Sequence, residues 1–357
     1  MTIIYFILIL GVIVFIHELG HFIFAKRAGI YVYEFSIGMG PRLFKFNRKK
    51  KTKKKNGKEI VIEDETTYSI RLFPIGGFVQ LAGEDVTVDE KIPENKRLQS
   101  KTWSQRFLTM VAGVMFNFIL AIVLLFIIAM VNGVSLDTRY ITKINNEKYP
   151  DLVEGDKVVE INGRNVNNYD KLMLEITTAG IKEFDMTVVH EDGKKETIEV
   201  NAEEIKNKDG EVESYKLGFE FTGTKQKGIW VSIKYAFLKF FSTIEQMFFT
   251  LIYLFTGQLS LKLLSGPVGL FGIVGDAAQA GFMTILSLTA LFSINVGFLN
   301  ILPFPAFDGG RALFLIIEKI KGSPVNPKIE NTIHNIGFYL LMLLMLYVTL
   351  NDIIKIF

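Results

Sequence analysis

The sequence predicts an α-helical polytopic membrane protein of about four transmembrane helices, with a β-hairpin and one inserted α+β domain. Three observations lead there. The 357 residues are 49% hydrophobic, with 31 Phe, yet include 40 basic and 37 acidic residues. Charge and apolarity on that scale coexist only when segregated, as in spans alternating with solvent-exposed parts. Four apolar segments are long enough to cross a bilayer, and between the second and third lies a polar stretch of short strands and turns. The absence of cysteine excludes disulfides, thiolate metal ligands and thiol nucleophiles.

The first segment is apolar from Ile3 to Ile16, resumes after His21 as Phe22-Ile23-Phe24-Ala25, and stops at Lys26-Arg27. Met1-Thr2 provides no basic n-region and no small-residue cleavage site follows, so this segment is expected to stay in the mature protein. Within it stands His17-Glu18-Leu19-Gly20-His21. Residues four apart share a helix face, so His17 and His21 can aim ring nitrogens at one ion, with Glu18 beside them to accept a proton. This is the H-E-x-x-H pattern of zinc-dependent hydrolysis. Five residues recur by chance in soluble helices, but in lipid each charged group costs about 3 kcal/mol unless compensated, and a divalent cation is such a compensation.

From Lys26 to Arg106 there are 18 Lys/Arg against 10 Asp/Glu, with Lys45, Arg48, Lys49, Lys50, Lys51, Lys53, Lys54 and Lys55 crowded together. The positive-inside rule places this region in the cytoplasm, so the first helix runs inward and its motif lies near the cytoplasmic end. The lysine cluster fits a solvated loop tip near anionic headgroups better than a nucleic-acid site. Tyr68 to Leu81 alternates loosely and turns at Pro74-Ile75-Gly76-Gly77, which predicts a β-hairpin offering an edge to an extended substrate. A second span, about Phe107 to Val131, returns outward; Asn117 within it is expected to bond a neighbouring helix.

Residues 132–225 are more acidic than basic, as suits an extracytoplasmic domain. Gly155 to Gly163 is a strand between turns, Tyr169 to Ala179 has helical spacing, and Met186 to Val200 folds back at Asp192-Gly193. His190 is expected on the solvated surface of that hairpin. In 226–282, Phe240 to Phe255 is nearly apolar enough to span, but Lys234, Lys239 and Glu245 suit amphipathic helices lying in the interface. Parity agrees, because another crossing would put the next motif on the face opposite the first. A third span, about Thr284 to Leu302, leads into Asn300-Ile301-Leu302-Pro303-Phe304-Pro305-Ala306-Phe307-Asp308-Gly309-Gly310. Its two prolines break the helix, and irregular backbone at membrane depth needs burial or a wet cavity. Asp308 is then a carboxylate at the depth of His17 and His21, and three such ligands make the open zinc site of hydrolytic enzymes. A fourth span, about Ile333 to Ile353, begins with His334, expected at the interface.

With both halves in view the chain resembles the site-2 protease family of intramembrane metalloproteases, its bacterial RseP-like branch in particular. The resemblance covers nearly the whole chain: HELGH, Phe73 to Phe78, Ala112-Gly113 to Asn117-Phe118, Gly155-Asp156 with Ile161-Asn162-Gly163, Ser265 to Gly269, and Asn300 to Gly310. HELGH and N-x-x-P-x-P-x-x-D-G-G are specific as a pair. Val114 departs from the pattern, standing where the family usually has proline. The resemblance implies a protease core in 1–131 and 283–357, a single PDZ-like domain in 132–225, and a membrane-associated hairpin. It implies Zn2+ held by His17, His21 and Asp308, Glu18 as general base, and substrate contacts by Asn300, Phe73, Gly76, Gly77 and Phe78. The implied setting is the bilayer of a bacterial inner (plasma) membrane. The implied substrates are single-span membrane proteins such as anti-sigma factors, or signal peptide remnants. A scaffold would have no use for Glu18, and a metal transporter would hold its ligands at the midplane.

Overall fold

The computed structural model describes residues 1–47, 52–55, 58–61, 66–84, 91–145, 147–206, 212–260 and 264–356. Arg48, Lys49, Lys50 and Lys51 of the basic cluster lie outside them. The chain forms two compact units, Met1–Ala121 with Leu264–Phe357, and Ile122–Leu263.

Helix α1 (Thr2–Arg27) buries Ile9, Ile13, His17, His21 and Ala25, one stripe at a spacing of four. Lys26 and Arg27 in its last turn suit the negative end of the helix dipole. Strand β1 (Val32–Phe46) follows, then a short pair, β2 (Thr52–Lys55) with β3 (Lys58–Val61), then β4 (Thr67–Leu81).

Tyr68–Leu81 does not close a hairpin on itself as expected: the two halves of β4 pair with β1 and not with each other. Ile37 pairs with both Gly77 and Ile70, and Phe35 with both Val79 and Tyr68. The first half of β1 therefore lies between the arms of β4, while Phe44 and Phe46 pair again with Ile70 and Tyr68. Both strands must kink, which Gly38 and Gly40 in β1 and Gly76 in β4 permit with φ of +86°, +82° and +81°. A polar cluster pins the arms together. The Glu34 carboxylate accepts from Arg42, from Ser69 Oγ at 2.5 Å and from Arg71 Nη2 at 2.9 Å. Arg71 also donates to Ser36 Oγ at 3.0 Å and to the Gly40 carbonyl at 2.8 Å. Burial opposes ionisation of Glu34, but these hydrogen bonds outweigh it and hold its carboxyl below the usual range.

Helix α2 (Trp103–Asn132) leads to the second unit. There β5 (Tyr140–Thr142), β6 (Lys157–Ile161), β7 (Arg164–Asn165), helix α3 (Tyr169–Ala179), β8 (Glu183–Val189), β9 (Lys195–Asn201), β10 (Glu203–Lys206), β11 (Val212–Lys216) and β12 (Glu220–Thr222) make an α+β domain. Its main sheet runs β12-β5-β6-β8-β9, with β7 on β6. Val158, Ile161, Leu172, Ile176, Met186 and Val188 form its dry centre. Helix α3 starts on an Asn168 cap, whose side chain accepts from Lys171 N, and stops at left-handed Gly180. His190 is not a free surface residue. Its Nδ1 lies 2.7 Å from Asp156 Oδ1 and its Nε2 3.1 Å from Glu196 Oε2, and these bonds push its pKa up.

Helix α4 (Ile229–Phe255) belongs to this unit. Among the described residues five helices, α4 among them, are long and apolar enough to cross a membrane, against about four expected. Helix α4 has distinct polar and apolar faces. Lys239 and Ser242 bond Asp170, Glu245 accepts from Asn168 at 2.8 Å, and Tyr253 donates to Glu175 at 2.6 Å, all toward α3 and its cap. Trp230, Phe237, Phe241, Phe248 and Phe255 are exposed along the other face.

The chain re-enters the first unit through α5 (Pro267–Ala280), α6 (Phe282–Ile301), α7 (Asp308–Lys321) and α8 (Pro327–Ile356). Val274 and Ala277 of α5 pack with Ile9 and Ile13 of α1 and Ile285, Leu288 and Phe292 of α6. Asp352 of α8 accepts from Gly269 N at 2.8 Å and so caps the first turn of α5. A side chain at Gly266 would meet that carboxylate at 2.8 Å, which accounts for the glycine before Pro267.

Candidate metal centre

Helix periodicity brings His17 and His21 to one face of α1, and the loop after α6 brings Asp308 to them. The His17 Nε2 to Asp308 Oδ2 distance is 3.1 Å, His21 Nε2 to Oδ2 is 3.2 Å, and the two Nε2 atoms are 3.3 Å apart. Ligands about 2.0–2.1 Å from one tetrahedral zinc lie roughly 3.3 Å from one another, so the triangle has the size such an ion requires.

The outer partners of the histidines also fit. His21 Nδ1 donates to the Thr109 carbonyl at 2.8 Å, leaving its Nε2 lone pair for the cluster. Asn117 Nδ2 is 3.3 Å from His17 Nδ1, while Asn117 Oδ1 is buried without a partner among the described residues. Turning the amide over gives Oδ1 an Nδ1–H to accept and fixes His17 in the same metal-ready tautomer. Asn117, expected to bond a neighbouring helix, bonds α1 through its side chain at His17 and α6 through its carbonyl, which accepts from Ser293 Oγ at 2.8 Å.

Thr109, Gly113 and Asn117 thus line one face of α2 at four-residue spacing against the same spacing on α1. Gly113 sits directly over both rings: a Cβ there would overlap His21 Nε2 and stand 2.7 Å from His17 Cε1. Gly113→Ala should favour the helix by roughly 1 kcal/mol. It should nevertheless weaken zinc retention by at least the roughly 10–100-fold typical of a lost outer-shell partner. Chelator competition with elemental analysis reads this; zinc retention equal to wild type would contradict the packing described.

Asp308 is the first residue of α7. Gly309 and Gly310 follow because side chains there would overlap the carbonyls of Ile301, Leu302 and Phe304. Helix α2 also fixes α7: Trp103 Nε1 donates to the Leu315 carbonyl at 2.7 Å, and Arg106 makes a two-pronged pair with Glu318 at 2.7 and 2.9 Å. Near them Arg106, Arg311, Glu330 and His334 line a cavity of about 130 Å³.

Glu18 faces the last arm of β4. The Val79 backbone N–H bonds its carboxylate, and a Cβ on Gly77 would come within 3.1 Å of its Cγ. The Phe78 ring lies in the same arm, with the Arg71 guanidinium 4.8 Å from its centroid. The other expected substrate residues sit apart from this arm. Phe73, 55% exposed, packs its ring on Gly40, and Gly76 packs on Met39 at the kink. Asn300 is partly buried in the last turn of α6. Sequence reasoning missed Thr109, which acts through its backbone. It also missed the common role of Gly113 and Asn117, although their spacing relative to His17 and His21 carried that signal.

The profile of Peptidase family M50 matches residues 5–344. The chain is 32% identical to zinc metalloprotease RasP of Shouchella clausii, over all of this chain and 99% of that protein. It is 34% identical to the protein of that name in Bacillus licheniformis, with the same coverage. It is 31% identical to regulator of sigma-W protease RasP of Bacillus subtilis, again over all of this chain and 99% of the relative.

Proposed function

The chain belongs to peptidase family M50, and from that premise we propose that it is a zinc-dependent intramembrane endopeptidase cutting single-span membrane proteins near the cytoplasmic side. The observation that carries this reading is the His17, His21 and Asp308 triangle between apolar helices, with Glu18 beside it. His17, His21 and Asp308 would hold Zn2+, which when bound would supply Lewis acidity to a peptide carbonyl and acidify water. Glu18 takes a proton from the attacking water and returns it to the leaving nitrogen, so the amide is split without a covalent intermediate.

A helical substrate hides its carbonyls in its own hydrogen bonds and must unwind before attack. The Gly77–Phe78 arm of β4, lying along Glu18, offers a backbone edge on which the unwound segment is held extended. Asn300 contacts substrate backbone near the scissile bond, and Phe73 and Gly76 shape the kink through which the segment enters. Four helices span, α1, α2, α6 and α8, while α4 lies in the interface with its polar face on α3 and its aromatic face toward lipid. The α+β domain is PDZ-like and extracytoplasmic, in the plasma membrane of a bacterium. Substrates are of the anti-sigma factor type, as the sigma-W regulator's name supports, or signal peptide remnants.

The experiment is cleavage of a single-span reporter by purified protein, with products mapped by mass spectrometry. The scissile bond should fall inside the span, nearer its cytoplasmic end; cuts confined to soluble flanks would contradict the proposal. Because the chain has no cysteine, Asp192→Cys at a hairpin tip reports sidedness in the same preparation. It should react with an impermeant reagent on intact cells or spheroplasts, and reaction only after lysis would reverse the topology.

A further inference from the structure

Four residues, Phe304 to Phe307, form a tight turn immediately before Asp308. Phe307 N donates to the Phe304 carbonyl at 3.2 Å, Pro305 takes the second position and Ala306 the third, with φ of +79°. That is a type II turn, whose third position ordinarily needs glycine because a Cβ is strained at positive φ. The turn leaves the amide of its third residue unused, and here Ala306 N–H donates to His334 Nδ1 of α8 at 2.9 Å. One turn further along α8, Gly337 comes so close to Pro305 that a Cβ would meet the Pro305 carbonyl oxygen at 2.7 Å. Pro305 suits the second position of such a turn, but alanine at the third is strained, and the bond from α8 braces it. Phe307 then caps α7, accepting from Gly310 N at 3.1 Å, and Asp308 follows in the first turn.

We propose that His334 is a positioning residue for the metal centre: by accepting the Ala306 amide it holds the strained turn that delivers Asp308 to His17 and His21. The inference rests on the metal-centre reading above and extends it to a residue that touches neither metal nor substrate. Its role requires only an acceptor where Nδ1 now stands, and Asn places its Oδ1 at that position.

The test uses full-length protein in detergent and measures zinc retention under graded chelator alongside kcat and KM on a single-span reporter. His334→Ala should lose zinc at roughly 10-fold lower chelator, within the range for outer-shell partners. It should lower kcat with KM little changed. His334→Asn should stay within about threefold of wild type, since the acceptor is kept. Ala306→Gly in the His334→Ala background should recover most of the lost zinc retention, because glycine adopts the turn unaided. A structural role elsewhere in α8 would not respond to a change at 306. Zinc retention in His334→Ala equal to wild type, or a double variant no better than the single, would overturn the proposal. Wild-type protein that binds no zinc would instead overturn the metal-centre reading, and this inference with it.

Discussion

Glu18→Gln should retain zinc and bind substrate while losing turnover. The amide keeps the length of the side chain and can still accept from the Val79 N–H, but it has no basicity. A general base contributes about 10²- to 10⁴-fold, and the loss should lie at or beyond the upper end of that range. The reason is structural: His17 and His21 turn their Nε2 atoms to the cluster and commit their Nδ1 atoms to Asn117 and Thr109, so neither can take over the proton. Single-turnover cleavage with elemental analysis on the same sample measures both properties. Cleavage by Glu18→Gln within about tenfold of wild type would assign the base elsewhere.

Asp308→Ala should empty the site while leaving the fold in place. Among the described residues the carboxylate is the one candidate ligand from the second half of the chain, and without it two imidazoles on one helix remain. Three-ligand sites with an open position are the rule for catalytic zinc. The loss in affinity should therefore go well beyond the roughly 10–100-fold effect of an outer-shell change. His17→Ala and His21→Ala should behave alike. Helix α7 should persist, since Trp103 and the Arg106–Glu318 pair hold it independently of the carboxylate. Full zinc content in Asp308→Ala, by elemental analysis, would mean that another residue is the third ligand.

The parts of this site that were legible in the sequence are those written in side chains at fixed spacing. His17 and His21 share a helix face whatever surrounds them, and the prolines before Asp308 announce a break at membrane depth. What escaped is carried by backbone or by pairing over long separations. Thr109 serves His21 through a carbonyl, which any residue possesses. Strand β1 is hidden in the sequence because Gly38, Gly40 and the inward polar residues Glu34 and Ser36 obscure its alternation; without it the turn in β4 predicts a hairpin closed on itself. His334 looked interfacial because the strained amide that it meets belongs to a turn 28 residues earlier. Helix α4 is long and apolar enough to span by composition, and only its bonds to Asp170, Asn168 and Glu175 show which face is committed to protein.

We propose that zinc held by His17, His21 and Asp308 makes this chain an intramembrane protease. The most direct measurement is cleavage of a single-span reporter by purified protein before chelation, after chelation, and after zinc is returned. Activity should vanish as zinc leaves and recover on readdition in wild type, whereas Glu18→Gln should regain zinc without activity. Undiminished cleavage in protein shown by elemental analysis to have lost its metal would contradict the account.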